Sequence, residues 1–585
     1  MRASVIQPHH LVQAATRQRG RLVDALLSCP DVDEQQLYAV MAQQWSVGVA
    51  NLEGTPPDRR LLNMVDHAAC LRHGLLPWQV RGSATIIACA FPEDFRQHRD
   101  RLEMVFGPVA MALAPPRMIE AALLTTVGAN LAYRAETRVP EDESCRNFSA
   151  HSLRAPAAAA AAGLAMALWF WPLWIWAALT VVALLAMLAF TGLKIAALRA
   201  MRHPIPIPMN PPVIARLPVV SIMVALYRES SIAVRLIERL GQLDYPRDLL
   251  DILLVVEEDD QITRIALAHA DLPVWMRVIT VPTGAVKTKP RALNYALDHC
   301  RGSIVGVYDA EDAPEPAQIR KVVDRFHQRG PEVVCLQGVL DFYNPRTNWL
   351  ARCFTIEYAA WFRLFLPGIE RLGLAVPLGG TTLFFRRSAL ETLGGWDAQN
   401  VTEDADLGLR IARHGYKTEL INTITYEEAN CRALPWVKQR SRWIKGFMMT
   451  WATHMRQPTQ LWRQLGPRRF AGFQILFMGS ILQALLAPLL WTFWLVPLGV
   501  PHPLADAMPA NLFTALWLTF LVTEALTIGF GVVGLSRTRH RMNPLWVPTL
   551  SFYHPLATLS AYKGLWELLT RPFYWDKTSH GHFDL

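Results

Sequence analysis

The chain has 585 residues, 52% hydrophobic and 18% charged, with a formal net charge of +9. That length predicts about three or four structural units, and the balance excludes both a wholly membrane-embedded protein and an ordinary soluble one. No Lys/Arg-rich block with interleaved aromatics occurs, and the basic residues lie beside apolar spans or among acids; the expected partners are therefore a lipid bilayer and an anionic small substrate, not nucleic acid.

The eight cysteines, Cys29, Cys70, Cys89, Cys145, Cys300, Cys335, Cys353 and Cys431, form no CxxC or Cys/His zinc spacing, which predicts packed thiols in a reduced, cytoplasmic environment. The opening MRASVIQPHHLVQ has no continuous apolar run, so no signal peptide is expected. Helix-like apolar spacing over Arg21–Leu27 and Asp33–Gln44, a strand over Ala84–Phe91 and a helical end at Ile119–Leu124 predict a small α/β domain within residues 1–135. The run RLVDALL followed by Leu37, Met41 and Gln44 resembles the N-terminal domain of type II secretion ATPases. Some members of that family bind cyclic di-GMP, so the resemblance implies either a regulatory domain with that partner or a docking module. Val23 stands where the nucleotide-binding members have glycine, and its side chain removes the closest backbone approach to a ligand.

Residues 136–154 are polar and turn-rich and read as a linker. From Ala155 to Leu198 no charge occurs before Lys194, a length about twice the roughly 20 residues that span a bilayer. With WFWPLWIW near its middle, this stretch predicts a transmembrane helical hairpin over 155–200 turning near Pro172. Arg154 before it and Lys194, Arg199 and Arg202 after it place both ends in the cytoplasm. The proline-rich residues 201–218, including HPIPIPMNPPVIARLP, read as an extended connector.

Residues 219–447 alternate strand-like runs (Val219–Leu226, Ile252–Val256, Val274–Val281, Ile304–Val307, Val333–Leu336) with helical segments such as Ser230–Leu243 and Arg291–Cys300. The expected fold is α/β, a mostly parallel sheet with ligands at the strands' carboxyl ends. Polar residues gather there: Tyr227, Arg228 and Glu229, then Glu257 and Glu258, then Lys287 and Lys289. The fourth strand runs into Asp309, Glu311 and Asp312 within GSIVGVYDAEDAPEP. Three adjacent carboxylates suit a divalent cation of the Mg²⁺ or Mn²⁺ type, or else a solvated turn with Asp312 capping the next helix. Thr402, Glu403 and Asp404 in NVTEDADLGLRI have the pattern of a capped helix N-terminus. Gln439, Arg442 and Trp443 in ALPWVKQRSRWIKG share one helix face, which also fits an interfacial amphipathic helix. Gly379, Gly380 and Thr381 in PLGGTTLFF permit close backbone approach or an ordinary turn. In the remaining residues, 448–585, Gly472–Leu498 and Asn511–Leu535 are each long enough to span a membrane. RRF precedes the pair and RTRHR follows it, while PHPLADAMPA between them lacks Lys and Arg. Leu545–Leu569 reads as a short hairpin or an interfacial helix.

Taken in order, ALYRE, VVEEDD, KPRALN, DAED, TED and QRSRW resemble the family 2 inverting glycosyltransferases. Specifically, they resemble the processive membrane group that includes the bacterial cellulose synthase catalytic subunit. TYEEANC and WDKTSHG point to a bacterial exopolysaccharide-type branch. The resemblance covers about Val219–Phe447 and implies a GT-A-type (Rossmann-like) domain set between transmembrane helices, transferring sugar from a UDP-sugar to a glycan acceptor. It implies Asp404 as the base, oriented by Thr402 and Glu403. Mg²⁺ or Mn²⁺ would sit on Asp309 and Glu311, with Asp312 as the alternate, since the family pattern is Asp-x-Asp. Glu229 and Glu257 would approach the uracil or ribose with Lys289 nearby. Gly380 and Thr381 would lie against the sugars, Arg442 at the leaving diphosphate and Trp443 under the acceptor, with Gln439 in the same donor and acceptor site. The family reading places the protein in the bacterial inner membrane with its N-terminal and catalytic domains cytoplasmic, and includes export of the product with export partners. Two rivals are a non-processive transferase acting on a lipid-linked acceptor and a catalytically silent nucleotide-sensing scaffold.

Overall fold

The structure, a computed structural model, describes residues 23, 26, 32–202, 214–229, 232–273 and 275–575. The helix expected over Arg21–Leu27, apart from Val23 and Leu26, the connector residues 203–213 and WDKTSHG beyond Trp575 lie outside the described residues.

The N-terminal α/β unit holds strands β1 (Gly48–Val49), β2 (Leu75–Arg81), β3 (Ala84–Cys89) and β4 (Val109–Leu113) in the order β1-β4-β3-β2. The predicted second helix forms over Glu34–Trp45, opened by Asp33, whose carboxylate accepts the Gln36 N–H at 2.8 Å. Strand β3 stops two residues before the predicted end because Pro92 starts the helix Pro92–Phe106 with Phe91 as its cap residue. The helical end expected at Ile119–Leu124 is the first half of a helix running from Pro116 to Thr137. Its inner positions Leu123, Val127, Leu131 and Ala135 recur every fourth residue and are all buried. They carry the helix past the TTVGAN segment, where local propensity weakens.

The catalytic-candidate sheet contains β5 (Val220–Leu226), β6 (Leu250–Glu257), β7 (Met276–Val281), β8 (Ile304–Tyr308), β9 (Ala313–Pro314), β10 (Val333–Phe342), β11 (Leu383–Arg386) and β12 (Lys417–Glu427). Their order is β7-β6-β5-β8-β11-β10-β12-β9, with β5, β6, β7 and β8 mutually parallel. Strand β6, LDILLVVE, is buried along its whole length, the sign of a strand covered on both faces. The sheet is mixed because PLGGTTLFF leads into β11, which pairs antiparallel with both β8 and β10. The α/β class expected from the sequence is therefore observed.

Four helical stretches among the described residues are long and apolar enough to cross a membrane: Ala150–Phe170, Pro172–Ala200, Pro458–Leu498 and Ala510–Ser536. The first two break at Trp171 and Pro172, where Trp169, Trp171 and Trp174 are exposed as an aromatic belt would be. The third begins well before Gly472. It kinks at Gly466, whose φ is 72°, and passes through a π-helical turn at Gln474–Gly479. Of the two readings for Leu545–Leu569 the hairpin is excluded, because Leu550–Thr570 is one helix packed on Ala433–His454. The seven described cysteines are all free.

The linker expected over 136–154 is helical at both ends, where it belongs to the helices Pro116–Thr137 and Ala150–Phe170, and between them it is strapped to the unit that carries the eight-stranded sheet. Arg138 pairs with Asp298 at 2.8 Å, and the Ser144 hydroxyl and Cys145 N–H donate to Asp397 at 2.9 and 2.7 Å. Glu143 pairs with Arg413 at 3.4 Å.

Candidate active site

The parallel strands end side by side, so the polar residues that follow β5 and β8 meet at one edge of the sheet. The loop before β11, the start of the helix Glu403–Arg413 and one face of the helix Ala433–His454 close around them. Together they bound a cavity of about 650 Å³. Twelve of the fourteen candidate residues line it: Glu229, Lys289, Asp309, Glu311, Gly380, Thr381, Thr402, Glu403, Asp404, Gln439, Arg442 and Trp443. Glu257 and Asp312 do not. Glu257 is buried behind the wall, 3.3 Å from Arg291. Asp312 is fully buried and turned inward, accepting the Asp309 N–H at 2.8 Å and the Thr381 hydroxyl. It caps no helix either, since the next one starts at Gln318 with Ala317 as its cap residue.

The wall is rich in carboxylates and poor in cations. Burial pushes Asp404 well above the usual aspartate pKa, and the charges of Glu403 and Asp309 push it further, against the pull of Lys289. Asp312 is likewise raised by burial and by Asp309 and Glu311. Burial raises Glu257 to about 7 despite Arg291 and Lys287. Lys289 is the central cation: its ammonium bonds to Asp309 and donates to the Gly380 carbonyl at 2.9 Å. Burial alone would lower its pKa, but Asp309, Asp404 and Glu403 hold it above the ordinary lysine value.

Asp404 is held by a residue not anticipated from sequence: the Trp396 indole N–H donates to its Oδ1 at 3.0 Å. The signal was GGWD, eight positions upstream. Thr402, expected to cap and to orient, makes no capping bond; its hydroxyl lies 3.5 Å from Asn400 Oδ1. Gly380 leaves space beside the Asp404 carboxylate, since a Cβ there would stand 3.9 Å from Asp404 Oδ2. Glu427, at the end of β12, also lines the cavity, its pKa raised well above the usual value by burial and then by Asp312, Glu311 and Asp309. The strand-end rule applied to TYEE would have found it. Two non-glycine residues with positive φ flank the site, Arg228 at 55° and Thr382 at 57°, where backbone strain is commonly held for function.

The helix face behaves as its spacing predicts. Gln439 accepts the Asn430 side-chain amide at 3.0 Å, and the Arg442 guanidinium lies 4.4 Å over the Trp575 ring. Arg440 stacks 4.5 Å over Trp443 and forks onto Glu357 at 2.8 and 2.7 Å. From there the same cavity continues among the apolar helices, past Phe190, Lys194, Phe520 and Glu524.

Among the described residues no three carboxylate, imidazole or thiol groups converge on one metal position. The donor chemistry nevertheless fits a hard cation: the carboxylates Asp309 and Glu311 both line the cavity, among acids whose charge holds the Lys289 pKa above its ordinary value.

Residues 218–446 match the family described as "Glycosyltransferase like family 2", and residues 45–125 match the MshEN domain. The β-monoglucosyldiacylglycerol synthase of Synechocystis sp. is 30% identical over 281 residues, which cover 47% of this chain and 57% of that protein. The UDP-forming cellulose synthase 1 catalytic subunit of Komagataeibacter xylinus is 27% identical over 259 residues, 42% of this chain and 33% of that one. The alignments thus span about half of the first relative and a third of the second. A solved mannosyltransferase from Pyrobaculum calidifontis, in complex with GDP-Man and Mn²⁺, covers 66% of this chain and 99% of its own at 19% identity and a TM-score of 0.45. The chain thus carries a family 2 glycosyltransferase domain, preceded by an MshEN domain and flanked by membrane-length apolar helices.

Proposed function

We propose that the protein is a membrane-embedded inverting glycosyltransferase that moves a sugar from a UDP-sugar onto a growing polysaccharide and passes the product through its membrane helices. The observation that carries this reading is the single cavity that joins the Asp404 wall to the space between the apolar helices. The catalytic module is assigned to residues 219–447, set between the hairpin 155–200 and the helices of 448–585. The flanking basic residues support a bacterial inner-membrane protein with its N-terminal and catalytic domains on the cytoplasmic side. The MshEN match supports cyclic di-GMP as a candidate ligand of the N-terminal domain.

In this reading Asp404 takes the proton of the acceptor hydroxyl as its oxygen bonds to the anomeric carbon. The bond from that carbon to the donor phosphate breaks on the opposite face, and its electron pair leaves with the nucleoside diphosphate. A carboxyl whose pKa is raised above the usual range makes a stronger base than an ordinary aspartate. Trp396 fixes the direction of its oxygen. Lys289 and Arg442 face the developing diphosphate charge, Arg442 with a planar fork suited to phosphate oxygens. Glu229 sits at the nucleoside end, and Trp443 offers a ring to the acceptor. A divalent cation, when bound, would be held by Asp309 and Glu311 and would neutralise the diphosphate.

A second reading, addition of one sugar to a lipid-linked acceptor, is favoured by the Synechocystis relative and by the apolar far arm of the cavity around Phe190 and Phe530. Purified protein in lipid nanodiscs, given a panel of nucleotide-sugars with Mg²⁺ or Mn²⁺, should release nucleoside diphosphate with one donor and build a polymer resolvable by size. A product carrying one added sugar would replace the polymer reading with the second one. No release with any donor would sink both.

A further inference from the structure

The donor end of the sheet is not built by the catalytic domain alone. Glu136, one residue before the end of the helix Pro116–Thr137, reaches Arg291 with 2.9 Å between Oε1 and Nε. Arg291 is fully buried and reaches Glu257, the last residue of β6, at 3.3 Å on its other side. The same Glu136 oxygen accepts the Ala285 N–H at 2.9 Å, in the loop that follows β7. That loop binds Glu258, whose Oε2 accepts the Thr283 N–H and hydroxyl at 3.0 and 2.8 Å. Both carboxylates at the end of β6 are therefore tied to one side chain of the N-terminal helix. One link runs through a guanidinium and the other through three residues of loop.

The packing leaves no slack. A Cβ on Gly284 would stand 2.1 Å from Glu136 Oε1 and 2.2 Å from Arg291 Nη2, so the loop closes over the pair only because residue 284 is glycine. Arg291 lies in the first turn of the helix Lys289–Leu297, and Lys289 at its start faces the cavity. The Asn294 amide of the same helix donates to the Ala135 carbonyl at 2.9 Å and the Trp396 carbonyl at 2.7 Å. This seam thus also reaches the residue that holds Asp404.

We propose that Glu136 is a positioning residue of the donor site: through Arg291, in the same helical turn as the cavity-lining Lys289, it sets where Lys289 stands, and through Arg291 and Ala285 it holds Glu257 and Glu258 behind the cavity wall. A buried guanidinium between two acids responds strongly to the loss of either, because a charge left without its partner in a low dielectric is costly. The inference rests on the donor-site reading above and adds to it a residue from outside the catalytic domain.

The test is binding of uridine diphosphate with Mg²⁺ to the full-length protein in nanodiscs by calorimetry, together with steady-state kinetics. Glu136→Gln keeps the shape and removes the charge. It should raise the Kd for uridine diphosphate and the donor KM about tenfold while kcat stays within about twofold. Gly284→Ala, which wedges the pair from the other side, should give the same split. Arg138→Ala breaks the neighbouring pair with Asp298 on the same seam without touching Arg291. It should lower the unfolding midpoint and leave Kd unchanged. Equal loss of binding in Arg138→Ala would show mere loosening of the seam and overturn the inference. So would a Kd in Glu136→Gln equal to that of a binding-competent wild type. If the wild type binds no nucleoside diphosphate, the donor-site reading itself fails and the inference goes with it.

Discussion

Asp404 and Asp406 stand two residues apart on one helix, Glu403–Arg413, and both are buried, yet their surroundings treat a negative charge in opposite ways. Asp406 faces the core, where Arg410 lies at 2.8 Å and His454 Nε2 at 2.9 Å. Burial by itself would raise its pKa, but Arg410 and the His454 hydrogen bond outweigh that and hold it below the ordinary aspartate value. Asp404 faces the cavity, where a neutral indole N–H is set against the charges of Glu403 and Asp309. An acid whose native pKa is raised lowers stability at every pH above its unfolded value, because the native state resists ionisation there. One face of the helix is arranged for stability, and the other gives some of it up to hold a carboxylate whose pKa is raised, the group proposed as the base.

The largest break in that contrast is Asp404→Asn. Loss of a positioned base should lower kcat by about a thousandfold. The unfolding midpoint should hold or rise, since Asn still accepts from Trp396 and removes a charge the site does not neutralise. Activity near the wild-type level would remove Asp404 from the base role. Asp406→Asn should do the reverse. It leaves Arg410 buried without its carboxylate, which costs about 3–5 kcal/mol of stability, read from denaturant midpoints, with a smaller change in kcat of the folded fraction. Because the native pKa of Asp406 is depressed, its contribution is complete above the unfolded value of about 3.9 and is lost as pH falls toward the native one. The Asn variant should lack that part of the acid-unfolding limb.

How far these roles could be read in advance differs by residue. Strands β5, β6 and β8 were legible because β-branched runs stop at charged residues, and the motifs spaced along the chain picked out Asp404 and the Arg442 helix face, which meet at one cavity. Local acid clusters do not say which member turns inward. Asp309 and Asp312 look alike in sequence, and only the hydrogen bonds to the Asp309 N–H and the Thr381 hydroxyl send Asp312 into the core. Trp396 and Glu427 were missed because one acts across a turn and the other enters on a strand paired into the sheet at a distance. Glu136 had no local signal at all, since its partner lies 155 positions away. The same long-range packing extends its helix past the segment where local helix propensity weakens.

Trp396→Phe sharpens the contrast without removing either acid. It keeps most of the packing against Phe385 and loses only the bond to Asp404. A hydrogen bond to a charged group is worth about 1.5–3 kcal/mol, so kcat should fall about tenfold or somewhat more. That bond is also one of the influences lowering the Asp404 pKa. Without it the acid limb of kcat should move to higher pH, because the base is lost by protonation as pH falls. An unshifted limb would mean that the indole only packs.

The smallest effect is expected at Thr402, the residue whose place just before Glu403–Asp404 made it the natural candidate for orienting the base. Its hydroxyl has only the 3.5 Å contact to Asn400, while its side chain lies against Gly446, where a Cβ would come within 2.1 Å of Oγ1. Its work is therefore close packing between the helix Glu403–Arg413 and the helix of Arg442. Thr402→Ser keeps the oxygen and removes one methyl group, a loss of about 0.8 kcal/mol at most. Thr402→Val keeps the shape and removes the oxygen. If packing is the role, Val should retain kcat within about twofold and Ser should lose slightly more stability than activity. If orientation through the hydroxyl is the role, the order reverses, and Val should fall toward the level of Trp396→Phe.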